Sequence, residues 1–338
     1  MELASQPIRK SSAKVYDSHW NLFVSWLTSQ DIPVDTASYH HLTNYLAVLF
    51  DKGLQVNTIK VHRSSIHSVL KMTNPPSLFE EETLTNLIKA MALKRPRAIH
   101  VLPKWRPSVV LHAFMKPPFT LNGSDKNIDL ELLTYKTAFL VSLASAARGA
   151  ELVALSRADH NVSFTQDPSG AKRVSLRMVP NFLPKNVLPN QVPEPITFPG
   201  IAHLFPQEKE RLLCPVRAIA LYISRTKELA SKADTSKLFV HFKADTQVLT
   251  THFRLWVAEA IERAYAMAPQ EGPQKVNAHE VRAIAASIAF FKKTPLEDIR
   301  SHIGWKSSDV FSSHYLRDMA ADPDLEALPL VAAGKAFV

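Results

Sequence analysis

Apolar residues recur every three or four positions along most of this chain, the period of helices that bury one face. Within residues 12–30, Val15, His19, Phe23, Trp26 and Leu27 share a side, and Ile32-Pro33 breaks the helix behind them. Residues 36–50 form a second run, with Tyr39, Leu42, Tyr45, Leu46 and Leu49 inward and Gly53 placed as its stop. A third helix over 56–72 has Ile59, Ile66, Val69 and Leu70 on its apolar side. Lys60, Arg63, Ser64, His67 and Lys71 run along its other side. A fourth helix over 80–93 completes a helical domain, residues 11–94, behind a loose tail over 1–10. Residues 95–106 form a linker, in which Pro96 and Pro103 resist helix formation.

The pattern then changes twice. Residues 130–147 read as a long buried helix, and they run into Arg148-Gly149-Ala150-Glu151-Leu152. Between 160 and 199 the period drops to two: Val162-Ser163-Phe164, Val174 to Met178 and Ile196-Thr197-Phe198 alternate like short strands, with Asp167-Pro168-Ser169-Gly170 as a turn. Helical patterns return at Cys214-Pro215, where Pro215 suits a first turn and Cys214 packs, and over 251–267, with a strand-like Leu238-Phe239-Val240 between. The expected fold is mainly α with a small antiparallel sheet, an α+β chain of two domains, the second spanning 107–338.

Charge gives this architecture a partner. The 338 residues carry a formal net charge of +9, so polyanions, nucleic acid first, are the natural ligands. A basic stripe on one helix is most often a solvated face, but in a basic chain Lys60, Arg63, His67 and Lys71 become DNA-facing candidates, as do Lys94, Arg95 and Arg97 at the linker. A single cysteine excludes an internal disulfide framework, and no apolar run is long enough to span a membrane. With 8 glycines and neither phosphate-loop motif, no nucleotide cofactor is expected, and His40-His41 lacks partners for a metal site.

The most informative stretch is 279–315, HEVRAIAASIAFFKKTPLEDIRSHIGWKSSDVFSSHY. Val281, Ile284, Ala285 and Ile288 make a buried face, which should turn His279 and Arg282 away from the core near a helix N-terminus suited to phosphate. A turn at Lys293-Thr294-Pro295, a second amphipathic helix, Ile303-Gly304-Trp305 and finally Tyr315 follow. This order resembles the tyrosine recombinases (the phage-integrase family): H-x-x-R, then an apolar residue, a small residue and His or Trp, then the nucleophilic tyrosine. The wording around it is most similar to the recombinases of DIRS-type retrotransposons and their eukaryotic relatives. Trp305 stands where histidine is commonest, and the ten-residue step to Tyr315 fits the DIRS-like branch.

The resemblance implies a helical core-binding (SAM-like) domain before a catalytic domain. It implies Tyr315 as nucleophile on a DNA phosphate, Arg148 and Arg282 as the phosphate clamp, and Glu151 as the residue that orients Arg148 or caps its helix. His279 would assist proton transfer, Trp305 would pack and donate a hydrogen bond, and a lysine in a loop of the sheet would protonate the leaving 5′-oxygen. Lys185 is the candidate there, with Lys172 and Arg173 behind it. His302 and His314 are expected outside the chemistry. No metal or cofactor enters. Double-stranded DNA is the implied partner, bound by a homo-tetramer on two duplexes in which the apolar end over 325–338 reaches a neighbour. A eukaryotic mobile element would place the protein in the nucleus, any other host in the cytoplasm or nucleoid. Two rival classes remain: a DNA-binding protein descended from a recombinase, and a type-IB-like topoisomerase.

Overall fold

The computed structural model describes residues 10–96, 102–166, 168, 172–185, 187, 190–201, 212–243, 246–271, 276, 278–305 and 311–322. The chain divides into two compact units, Met1–Ile99 and His100–Val338.

The first unit is four helices: α1 (Lys10–Ser29), α2 (Tyr39–Asp51), α3 (Val56–Thr73) and α4 (Leu78–Lys94). α1 and α2 both lean on α3, and α4 closes over α2. Phe23, Leu27, Tyr39, Leu46, Ile59, Ile66 and Leu70 fill the centre. The caps explain the starts: Ser77 and Glu80 form a reciprocal box at α4, and at α2 the His41 ring accepts from the Ser38 N–H at 3.2 Å. Two expectations fail here. Val15 is 42% exposed, because α1 buries a narrow stripe centred on Phe23 and Leu27. Arg95 does not reach outward as a DNA contact: its guanidinium donates to Leu54 O at 2.7 Å and Phe50 O at 3.1 Å and stacks on the Phe50 ring. Phe50 is in the last turn of α2 and Leu54 lies just beyond it, where a cation is favoured by the helix C-terminus.

The second unit is organised around α6 (Leu130–Ser145), which follows α5 (Pro107–Ala113). Every α6 residue from Leu132 to Ser145 is buried, so the helix is enclosed on all sides, polar residues included. Most of its polar groups are satisfied inside, Thr137 Oγ1 being an exception among the described residues: Ser142 and Ser145 each donate to a carbonyl one turn back at 2.7 Å. Lys136 reaches Asp125 at 3.3 Å, and Asp125 also takes Arg217 at 2.7 Å. Around α6 pack α8 (Pro215–Arg225), α10 (Thr250–Ala266) and α11 (Glu280–Phe291). Between them come the short α7 (Gly149–Val153) and α9 (Lys227–Lys232), and α12 (Leu296–Ile303) follows α11.

The sheet is antiparallel in the order β1 (Val162–Gln166), β2 (Lys172–Leu176), β3 (Ile196–Pro199). Phe164 faces Val174, and Val174 faces Phe198; Val174, Leu176 and Phe198 point into the core. β2 starts two residues earlier than its alternation suggested. Leu238-Phe239-Val240 is buried but is not a strand; it is held by bonds to Leu155 O and to the Tyr222 hydroxyl. Cys214 is buried at the start of α8.

Candidate active site

Three segments far apart in sequence meet here. α6 ends at Ala146, a non-glycine residue in the left-handed region (φ 48°), which bends the chain so that Arg148 starts α7. Glu151 takes the Arg148 backbone N–H at 2.9 Å and its Nη1 at 2.9 Å. One carboxylate thus caps the helix and orients the guanidinium, both of the roles expected of Glu151.

Arg282 corrects the sequence reading. It is 3% exposed and therefore not turned away from the core. Nη1 donates to Ala146 O at 2.5 Å and Nη2 to Ile303 O at 2.9 Å. Those carbonyls end α6 and α12, and helix C-termini draw cations. The guanidinium also lies 5.6 Å from the Trp305 ring centre and 5.7 Å from that of Tyr315. Burial first, and the Arg148 cation second, lower its pKa to about 10, which leaves it charged at neutral pH. Its Nε is buried without a partner among the described residues.

Gly304 supplies the second sharp bend. At φ 69° it ends α12, a conformation that favours glycine, and the next N–H, that of Trp305, closes back on Arg300 O at 3.0 Å. This aims the indole at Tyr315, with ring centres 4.6 Å apart. Trp305 is 7% exposed, and its Nε1–H has no acceptor among the described residues.

Tyr315 ends a π-helical turn, Phe311–Tyr315. Ser287 of α11 fastens that turn: its hydroxyl is 3.2 Å from Tyr315 O and accepts the Arg317 N–H at 2.8 Å. Arg317 in turn pairs with the buried Glu280 at 3.2 Å. His279 caps α11, its ring 6.3 Å from Tyr315. Crowding by protein, then the cations of Arg254, Arg282 and Arg148, lower its pKa below the usual histidine value. At neutral pH it is an unprotonated imidazole, able to accept a proton.

Arg148, His279, Arg282, Trp305 and Tyr315 are thus brought together. Lys185 is exposed in the connection between β2 and β3. Its neighbours Pro184 and Val187 line the same open groove of about 760 Å³ as Arg148 and Glu151. Lys172 and Arg173 lie at the other end of β2, paired with Gln166 and Pro199. His302, expected to face solvent or a partner, is half-buried and lines that groove beside Gly304; burial and the Arg282 cation lower its pKa. His314 is exposed.

On α3, Lys60 and Lys71 are exposed and Arg63 is half-buried. His67 leaves the stripe: it leans on Tyr39, ring centres 5.6 Å apart, and its Nδ1 is buried. Lys94 is exposed; Arg97 and the segment 325–338 lie outside the described residues.

One residue was missed. Arg254 of α10 lines a small cavity with Gly149, His279 and Arg282. A lone arginine on a helix gives no sequence signal; only the packing of α10 on α7 brings it here.

No family model matches the chain, and no curated protein matches it. Among solved structures it is similar to the XerH site-specific recombinase bound to its difH substrate in a pre-cleavage complex, with a TM-score of 0.51 at 14% identity over 86% of this chain and 70% of that one. A lambda integrase (75–356) dimer bound to a COC′ core site aligns over 94% of this chain and 92% of that one at 13% identity, TM-score 0.47. The XerH likeness, with the mostly helical build and three-stranded sheet, shows the tyrosine-recombinase fold.

Proposed function

We propose that this protein is a tyrosine recombinase that cleaves and rejoins DNA through Tyr315. The observation that carries this is the convergence of Arg148, His279, Arg282 and Trp305 on one tyrosine from three segments of a recombinase fold. Supporting it are the net charge of +9 and the XerH neighbour, which is itself bound to DNA substrate.

In this reading Arg148 and Arg282 hold the scissile phosphate. Tyr315 Oη attacks phosphorus as His279 accepts the phenol proton, and the bond from phosphorus to the 5′-oxygen breaks. Lys185 protonates that oxygen. A 3′-phosphotyrosyl bond and a free 5′-hydroxyl result, and attack by a 5′-hydroxyl of a second duplex reverses the step. The covalent bond preserves the phosphodiester, so the residues need neither metal nor nucleotide for this exchange. Guanidinium forks and the Trp305 Nε1–H, which has no acceptor among the described residues, suit the oxygens of the pentavalent transition state. Lys60, Arg63, Lys71 and Lys94 would hold DNA on the helical unit as a core-binding domain. A tetramer on two duplexes, a DIRS-type mobile element as source and a nuclear location complete the proposal. No described helix is long and apolar enough to cross a membrane.

A nicked suicide duplex, from which the cleaved end diffuses away, tests this. Wild type should accumulate a covalent adduct, and Tyr315→Phe should bind the same DNA and form none. An adduct in the Phe variant would remove Tyr315 from the role, and none in wild type would leave the DNA-binding reading. Strand exchange between two duplexes separates a recombinase from a topoisomerase. A 5′-bridging phosphorothioate, whose thiolate leaves without an acid, should rescue Lys185→Ala; rescue of Lys172→Ala instead would move the acid there.

A further inference from the structure

The three arginines of the site differ in how they are held. Arg148 has Glu151, and Arg282 has two backbone carbonyls. Arg254 is exposed in the first turns of α10 and makes no hydrogen bond or ion pair among the described residues. It nevertheless sits tight against the site. A Cβ built on Gly149 would meet its Nε at 4.0 Å, and its charge is the largest electrostatic influence on His279, ahead of Arg282 and Arg148. The small cavity that it shares with His279 and Arg282 is lined by no carboxylate among the described residues.

Like charges held together without a counter-ion repel one another, and an anion relieves that repulsion. Arg282 reaches the face of the Tyr315 ring; no contact joins Arg254 to Tyr315 among the described residues. Arg254 instead meets the site at Gly149 and His279, so an anion that it holds sits beside the reacting group.

We infer that Arg254 holds the DNA backbone phosphate adjacent to the scissile one, a third guanidinium that fixes the strand against α7 and His279. This rests on the recombinase reading for the identity of the scissile phosphate. Gly149, the first residue of α7, borders the Arg254 guanidinium. Thr250 is close as well, its Cγ2 3.4 Å from the same built Cβ.

The test compares wild type, Arg254→Ala and Arg254→Lys on the nicked suicide duplex in single turnover, below saturating DNA. Each phosphate flanking the cleavage point is replaced in turn by an uncharged methylphosphonate. Arg254→Ala should slow adduct formation roughly tenfold to a hundredfold, the range for a lost charge-assisted bond, and Lys should restore part of it. One flanking methylphosphonate should slow wild type by a similar factor and leave Arg254→Ala no slower, because both changes remove the same contact. Wild-type rates in Arg254→Ala, or losses that multiply at every flanking position, overturn the assignment. If wild type itself forms no adduct, the recombinase reading falls, and the salt dependence of binding still decides on Arg254. Loss of a phosphate contact lowers the slope by about one in Arg254→Ala, and an unchanged slope shows a merely solvated arginine.

Discussion

At the scale of single residues, Trp305 offers the sharpest test of how the site acts. Its ring packs on Tyr315 and Arg282, while its Nε1–H is buried without an acceptor among the described residues. Such a donor is costly unless a ligand satisfies it. Trp305→Phe keeps much of the packing and removes the donor. Cleavage in single turnover should fall by roughly threefold to tenfold, as for a neutral hydrogen bond, while the melting temperature changes little. Trp305→His should restore part of the rate. Cleavage unaffected in the Phe variant would show that the N–H plays no part. Trp305 was legible in the sequence because its place after Ile303-Gly304 is part of the motif. The burial of Arg282 was not. Periodicity treats an arginine on a helix flank as outward, and only the meeting of two helix ends, at Ala146 and Ile303, supplies the carbonyls that draw it in.

Among the elements, α1 and α3 join through a polar contact inside their apolar seam. His19 and His62 stack with ring centres 3.8 Å apart, His62 lies 3.4 Å from the Tyr45 hydroxyl, and His19 bonds Ser65 at 3.1 Å. Burial, then the neighbouring His19, lower the His62 pKa from 6.5 to about 4; burial lowers that of His19 as well. A histidine with a depressed folded pKa stays neutral in the fold and takes up a proton when unfolded. The unfolded state therefore binds more protons between pH 6.5 and about 4, and stability falls as pH falls through that window. Hydrogen exchange of the α1–α4 amides should show progressive weakening from pH 7 to pH 5. His62→Phe, which keeps a ring against His19, should flatten that dependence even if it lowers stability overall. An unchanged slope would place the acid sensitivity elsewhere. The four helices and their order were readable from periodicity, with ends shifted by at most three residues. The inward turn of His67 was not, because a half-buried imidazole and a solvated one occupy the same place in a polar stripe.

For the whole molecule, the position of the sheet followed from changes of period, from 3.6 to 2 and back. In the assembly proposed above, the segment over 325–338 carries the contact between subunits. The last described residues are anchored within the second unit: Asp322 is buried and takes the Ser108 N–H at 2.9 Å together with the Ser108 hydroxyl. Met319 packs into the same core. These contacts fasten the end of the chain to the start of α5 without calling on residues 325–338, which are mostly apolar in sequence and lie outside the described residues. An apolar terminus seeks a surface to cover, and in the proposed tetramer that surface belongs to the next subunit around a closed ring. Deleting residues 325–338 should therefore leave a folded protein that binds a single DNA site with little loss. Cooperative two-site binding and strand exchange should fail, while suicide cleavage at one site persists at a reduced level. Band-shift titration on one-site and two-site DNA, run beside a thermal melt of the same truncated protein, checks each arm. Intact synapsis would overturn docking between subunits. A truncated protein that no longer folds would mean that the segment covers its own unit, and that the Asp322 anchor alone does not hold the end of the chain.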